Sequence, residues 1–284
     1  MLKAQTTAPA RTPLAERYHE DGYCFPVDIL SRDEAAHYRS QLETLEARIA
    51  GSRVGNKGQL NYPQVIFKFA AELVRHPALL DIVEQIIGPD ILVWGGTFFT
   101  KEPHTDSYVS WHQDMRYWGL DDTDGQVSAW LALSPVTVAN GCMRFVPGSH
   151  KGAMVEHNDT FANDNFLTRG QEAAVEINEN DTVQVELAPG QASFHHGKLL
   201  HASAPNHSDE RRIGFAINFI APHVRQTVAS QDFGILVRGE DRYGNFVHVP
   251  WPKEDLSKDA LSWHNRILNS QNEAMYDGAE DAER

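Results

Sequence analysis

The hydrophobic period of the sequence changes after Pro89. From there on, short β-branched or aromatic stretches are separated by Gly, Pro, Asn and Asp, a pattern typical of strands in a sandwich or barrel. The predicted strands are residues 91–100, 108–114, 126–135, 143–147, 182–187, 191–196 and 212–220. So many short strands in one region predict a β-rich body.

Two amphipathic helices are predicted ahead of these strands. Ser31 and Glu34 form a capping box at the start of the first helix, whose apolar residues recur at helical spacing. The second covers residues 79–87 and ends at Gly88-Pro89. Helices followed by strands indicate an α+β fold with a mainly β core.

The length of 284 residues suits one large domain. We predict a flexible arm at 1–13, a single domain at 14–269 and a polar, acidic tail at 270–284. Residues 153–181 form an acidic insertion between strands that is too long for a tight turn, and we predict that it is a lid.

Composition narrows the choice of partners. The net charge of −14 disfavours nucleic acid, because such a field repels phosphate. The two cysteines, Cys24 and Cys142, do not resemble a disulfide framework and fit a reducing compartment. No apolar run is long enough for a membrane helix. We therefore expect a cytoplasmic protein that acts on a small molecule, away from membranes; the sequence does not predict its oligomeric state.

The stretch WHQD carries two metal-seeking side chains. If residues 108–114 form a strand, His112 and Asp114 point to the same side, because side chains alternate with a period of two. An imidazole and a carboxylate together suit iron(II) or manganese. A lone H-x-D pattern is common by chance, so a third ligand is needed.

A second segment, HASAPNHSDERR, offers that ligand. We predict a hairpin centred between Asn206 and His207, in which His201 faces Arg212 and Ser203 shares the side of His201. An arginine fork there suits the far carboxylate of a dicarboxylate co-substrate. An alternative for Arg212 stays open, in which it pairs with Glu210 or Asp209 on the surface. His195 and His196 alternate in direction, so at most one of them points inward, as a core histidine or as a support for the metal ligands.

With these residues assembled, the chain resembles the phytanoyl-CoA dioxygenase family, from about Asp21 to about Ile220. The resemblance rests on stretches that include EDGYCFPVDILS, IFKF, FFTKEP, WHQD, NGCMRFVPGSHKG and HHGKLLHASAPN followed by RR. It implies a double-stranded β-helix, or jelly roll, with N-terminal helices packed on one side. It also implies a dioxygenase that uses iron(II), 2-oxoglutarate and O2.

The resemblance assigns roles to individual residues. His112, Asp114 and His201 resemble the iron ligands, and Arg212 and Ser203 the residues that hold 2-oxoglutarate. Trp130 matches an aromatic lining the co-substrate pocket, and Lys68 matches a lysine near it; an ordinary solvated lysine is an equal alternative for Lys68.

The presence of Asp114 implies hydroxylation or a related oxidation, because related halogenases carry a small residue at this position. The expected substrate is a small organic molecule, such as an intermediate of secondary metabolism. The alternative is a cupin-type isomerase or hydrolase that holds a metal but does not use 2-oxoglutarate.

Overall fold

The structure is a computed structural model that describes residues 13–49 and 59–275. Its helices are α1 (Pro13–Asp21), α2 (Arg32–Ile49), α3 (Pro63–Ile66), α4 (Lys68–Leu73), α5 (Pro77–Ile87) and α6 (Lys258–Met275). Its strands are β1 (Tyr23–Asp28), β2 (Gln59–Asn61), β3 (Ile91–Lys101), β4 (Val109–His112), β5 (Gln126–Ala132), β6 (Met143–Phe145), β7 (His157–Asp159), β8 (Gln171–Ala173), β9 (Val183–Val185), β10 (Gln191–His195), β11 (His201–Ser203), β12 (Arg212–Ile220), β13 (Phe233–Arg238) and β14 (Val247–His248). The predicted arm, except for Pro13, lies outside the described residues.

Two mainly antiparallel sheets build the core. The major sheet has the order β1-β10-β5-β12-β3-β13-β14, with β2 also beside β3, and the minor sheet has the order β4-β11-β6-β9. Successive strands alternate between the two sheets from β3 to β6 and again from β9 to β12. This alternation is the jelly-roll winding, and the predicted fold class is confirmed.

Strand β12 shows how the major sheet separates core from cavity. Its odd positions, Ile213, Phe215, Ile217 and Phe219, are buried among the helices. Its even positions Arg212, Ala216 and Asn218 line a cavity on the opposite face. The period-two alternation of a strand accounts for this division.

A β-bulge in β3 turns an additional aromatic side chain towards the same cavity. The register with β12 shifts between Asn218, which pairs with Gly95, and Phe219, which pairs with Val93. The additional residue is Trp94, so that Trp94 and Phe99 both line the cavity although they stand five positions apart. Bulges commonly re-aim side chains in this way.

The helices α2 to α5 cover the other face of the major sheet and share its apolar core. The predicted capping box is present: the Glu34 amide donates to Ser31 Oγ (3.2 Å), and the Ser31 amide donates to Glu34 Oε2 (2.8 Å). Helix α5 ends at Gly88, whose φ of +94° favours glycine. No helix in the described part of the chain has the length and apolar character to span a membrane.

Two predicted segments differ from the structure. Residues 153–181, predicted as a lid insertion, contain the antiparallel pair β7 and β8, which the sequence did not predict. The predicted tail at 270–284 begins too early, because α6 continues to Met275 and buries Ser270, Gln271 and Ala274. Residues 276–284 lie outside the described range.

Candidate active site

Two histidines meet across neighbouring strands of the minor sheet. His112 ends β4, His201 begins β11, and the two residues are partners in the antiparallel register. Their ring centroids lie 4.0 Å apart. Asp114 follows β4 and opens a short 3-10 turn at 114–116, so the turn, and not the predicted strand, directs its carboxylate.

The donor atoms of these three side chains converge. Asp114 Oδ1 lies 3.2 Å from His112 Nε2 and 3.8 Å from His201 Nε2. One ligand atom from each residue lies within 4.8 Å of the others. Two imidazole nitrogens and one carboxylate oxygen form the donor set that non-haem iron(II) oxygenases use.

The tautomers fit a metal as well. His112 Nδ1 lies 2.9 Å from the Ser110 carbonyl oxygen, and His201 Nδ1 lies 2.9 Å from that of Leu199. A carbonyl only accepts hydrogen bonds, so each Nδ1 carries the proton and each Nε2 presents a lone pair. Burial, and next the neighbouring His112, lowers the pKa of His201 to about 3, which keeps this imidazole neutral.

Further groups surround the Asp114 carboxylate. Burial opposes its ionisation, but the neighbouring histidines, His201 first among them, hold the pKa of Asp114 well below its ordinary value. Its second oxygen, Oδ2, accepts from the Ser128 hydroxyl at 3.4 Å and lies 3.8 Å from His195 Nε2. His195 is thus the inward member of the consecutive histidine pair. His196 turns towards Asp124, 3.3 Å away.

Beyond the histidines stand two buried cations. Arg212 and Lys101 are partners in the register of β12 and β3, and their exposed fractions are 2% and 0%. Burial and next the Arg212 charge lower the pKa of Lys101 to about 6, and burial lowers that of Arg212 to about 10. Neither forms an ion pair within the described residues, and Arg212 Nε has no hydrogen-bond partner there. Uncompensated buried charge is costly, so this place suits an anion.

Neighbouring groups define how the two cations are held. The Arg212 guanidinium lies 5.3 Å from the centroid of the Trp130 ring and donates to the Gly141 carbonyl. Lys101 Nζ donates to Ser203 Oγ at 2.8 Å. The Trp130 ring has room only because residue 214 is glycine: a Cβ there would lie 1.8 Å from a ring carbon.

The structure corrects three sequence predictions about these residues. β11 and β12 do not form a hairpin, because β11 pairs with β4 and β6 whereas β12 pairs with β3 and β5. His201 and Arg212 therefore approach the cavity from different sheets. The surface alternative for Arg212 is also wrong, since the side chain is buried.

The third correction concerns the lysine. Lys68 lies on α4 with an exposed side chain and does not line the cavity, so it is the solvated lysine of the alternative interpretation. Lys101 is the buried lysine beside Ser203 and Arg212. The stretch FFTKEP contained it, but a lysine inside a strand gives no sequence signal of burial.

The cavity extends from these groups to the surface and has a volume of about 250 Å³. Its outer wall is aromatic, with Trp94, Phe99, Tyr117, Trp118 and Phe166. The predicted lid contributes Phe166, Leu167, Thr168 and Gln171, and α6 contributes Leu268, Gln271, Asn272 and Met275. Sequence reasoning missed the contribution of α6.

A buried carboxylate fastens two of these walls. Asp232 accepts from Trp94 Nε1 at 2.8 Å and from Gln271 Nε2 at 3.2 Å, which joins the bulged strand β3 to α6. Farther along the helix, the Arg169 guanidinium donates to the Met275 carbonyl at 2.8 Å and pairs with Asp159. The end of α6 is therefore tied to the predicted lid.

Comparisons with known proteins agree with this geometry. The family model described as Phytanoyl-CoA dioxygenase (PhyH) matches residues 18–214. The chain belongs to the phytanoyl-CoA dioxygenase family. Iron(II), 2-oxoglutarate and O2 are accordingly its cofactors, and the histidine, aspartate and arginine groups fit them.

The share of its length over which the chain matches differs from one relative to the next. A probable phytanoyl-CoA dioxygenase of Caenorhabditis elegans is 26% identical over 61% of this chain and 61% of its own length. An L-proline trans-4-hydroxylase of Streptomyces griseoviridis is 25% identical over 72% and 84%. Among solved structures, the apo form of the non-heme monooxygenase ThoJ is 34% identical, with a TM-score of 0.84 over 93% of this chain and 98% of that chain.

Proposed function

We propose that this protein is an iron(II)- and 2-oxoglutarate-dependent oxygenase that hydroxylates, or oxidises in a related way, a small organic molecule. His112, Asp114 and His201 are the proposed iron ligands. Arg212, Lys101, Ser203 and Trp130 are the proposed 2-oxoglutarate pocket.

One observation carries the proposal: the buried Arg212 guanidinium, with Lys101 beside it on β3, lies in the same cavity as a three-donor metal group. A metal-dependent isomerase or hydrolase needs the donors alone. It would leave the Arg212 charge buried without an anion, a loss of several kcal/mol. The cationic pair therefore favours the oxygenase over the cupin-type alternative.

Residues of the chain bind 2-oxoglutarate and orient the metal-binding imidazoles. The Arg212 fork and Lys101 receive the far carboxylate of 2-oxoglutarate, while Ser203 and Trp130 fix the positions of the two cations. The backbone carbonyls of Ser110 and Leu199 hold the imidazoles with Nε2 facing Asp114. When bound, iron couples O2 reduction and 2-oxoglutarate decarboxylation to substrate oxidation. The aromatic wall excludes water and positions the substrate.

Hydroxylation is the preferred outcome for two reasons. Asp114 provides a carboxylate donor, so no position in the donor set is given up to a halide. The S. griseoviridis relative is, by its name, a hydroxylase. Both points support the assignment of reaction type.

An anaerobic titration tests the proposal. The protein with iron(II) should develop a weak visible charge-transfer band only when 2-oxoglutarate is added, and exposure to O2 should then release succinate. Succinate, a closely related dicarboxylate without the keto group, is the matched control and should give no band. Absence of the band with 2-oxoglutarate would contradict the proposed co-substrate.

A further inference from the structure

Apart from the catalytic groups, the cavity carries no charge. Twenty-nine described residues line it, three of them histidines: His112 and His201 are proposed iron ligands, and His195 Nε2 lies 3.8 Å from Asp114 Oδ2. Apart from these histidines, only Asp114 and Arg212 in the lining are acidic or basic. Both are already assigned to iron and 2-oxoglutarate. Among the described residues, no lining carboxylate, lysine or arginine remains to pair with a charge on a substrate.

The rest of the lining combines aromatic rings with side-chain amides. The amides belong to Gln59, Asn61, Gln171, Asn218, Gln271 and Asn272. Several are engaged with the protein: Gln59 donates to the Phe166 carbonyl, Asn61 accepts from Thr97, and Gln271 donates to Asp232. These contacts fix amide groups around the cavity, and amides recognise neutral donors and acceptors.

Asn218 differs from those engaged amides. It is half-buried on β12, and its side-chain amide has no hydrogen-bond partner among the described residues. The amide lies over Gly95. A Cβ at residue 95 would come within 3.1 Å of Asn218 Nδ2, so the lack of a side chain at Gly95 leaves room for the amide. An unpaired amide in a cavity wall offers both a donor and an acceptor to a ligand.

The register places Asn218 near the metal end of the cavity. Its neighbour on β5 is Ser128, whose hydroxyl lies 3.4 Å from Asp114 Oδ2. Directly opposed residues on neighbouring strands stand about 5 Å apart. A group held by Asn218 therefore lies close to the carbon that is oxidised.

We propose that the substrate is an uncharged molecule with an apolar skeleton and that Asn218 determines its position. This inference rests on the proposed function. The amide of Asn218 hydrogen-bonds a hydroxyl, carbonyl or amide group of the substrate, and the aromatic wall packs against the skeleton. A carboxylate, phosphate or ammonium at the same place would be desolvated without a partner, a cost that disfavours such ligands. The net charge of −14 adds to the rejection of anions.

Matched probe pairs test this assignment. The anaerobic protein with iron(II) and 2-oxoglutarate is titrated with naphthamide against naphthoate, cinnamamide against cinnamate, and tryptophol against tryptamine. The neutral members should perturb the charge-transfer band at concentrations at least about tenfold lower than their charged counterparts. The band before any probe is added is the control: its absence would contradict the proposed function and not this inference.

Two variants then test whether Asn218 is the residue that recognises the neutral probes. Asn218→Asp keeps the side-chain volume and adds a charge, and it should weaken binding of the neutral probes by about tenfold or more while shifting preference towards tryptamine. Asn158→Asp makes the same change on an exposed strand outside the cavity lining and should leave probe binding as it was. The inference is overturned if no neutral probe perturbs the band, if charged probes do so equally well, or if Asn218→Asp binds the neutral probes like the parent protein.

Discussion

Arg212 and Lys101 stand opposite each other in the antiparallel register of β12 and β3, and both are buried on the cavity face of the major sheet. Burial and next the Arg212 charge lower the pKa of Lys101 to about 6, so a bound anion is needed to keep both groups charged at neutral pH. In the proposed complex the far carboxylate of 2-oxoglutarate pairs with both groups and favours their charged forms. The contribution of each residue to 2-oxoglutarate affinity can therefore be measured by substituting it alone.

Arg212→Ala should weaken 2-oxoglutarate binding on the order of 100-fold or more, because the far carboxylate loses its bidentate partner. Titration of the visible band measures this loss, and iron(II) binding in the absence of 2-oxoglutarate should change little. Arg211→Ala is the matched control, since Arg211 pairs with Glu46 and Glu102 outside the cavity. Equal effects of the two substitutions would show that Arg212 has no special role.

Lys101 should make 2-oxoglutarate binding depend on pH. Its pKa is lowered to about 6, so the free protein loses this proton as the pH rises through about 6. A bound carboxylate favours the protonated amine, so binding above that pH takes up a proton, and affinity falls by up to about tenfold per pH unit. Lys101→Met should bind more weakly and lose this dependence. An unchanged pH profile in Lys101→Met, measured at saturating iron(II), would assign the dependence to another group.

Asp114→Gly should abolish iron-dependent oxidation, because it removes one of the three converging donors. Iron(II) affinity, followed by quenching of tryptophan fluorescence, should fall by at least about 100-fold. The far-UV circular dichroism should stay that of the parent, since Asp114 stands in a turn beyond β4 and not in the apolar core. Global unfolding of the variant would instead identify Asp114 as a structural residue.

Truncation within α6 should separate substrate binding from cofactor binding. A chain that ends at residue 269 lacks Gln271, Asn272 and Met275, all of which line the outer cavity. It should still form the iron–2-oxoglutarate band but should lose the response to neutral probes. A chain that ends at Met275 is the comparison, because it retains the whole described helix. Loss of the band in the shorter chain alone would mean that α6 supports the metal end as well.

Sequence patterns located the central strands of the major sheet and the three metal donors, but they missed β1, β2, β7, β8, β13 and β14. Hydrophobic alternation and turn residues located β3, β5, β10 and β12 to within a few residues. The metal donors could be recognised because each belongs to a short sequence motif, WHQD or HASAPN. The predicted hairpin between His201 and Arg212 was wrong. Turn-forming residues predict that the chain reverses, but they do not tell a hairpin from a crossing between sheets.

Long-range contacts set the limit of prediction elsewhere. Lys68 stands between two phenylalanines and Lys101 two positions after one, and only the pairing of β3 with β12 distinguishes the buried from the exposed lysine. The cavity wall on α6 was missed for a related reason. Its polar residues Gln271 and Asn272 suggest a solvated tail until the anchor to Asp232 is known.

The crossing of residues 204–211 between sheets has a consequence for the maturation of the protein. The metal donors lie on or beside the minor sheet and Arg212 lies on the major sheet, so a chain with only one sheet assembled holds the metal group or the basic pair but not both. Immature molecules would then be unable to activate O2 and damage themselves or their surroundings. Formation of the iron–2-oxoglutarate band accordingly requires that both sheets have come together, whereas iron binding alone requires only the minor sheet.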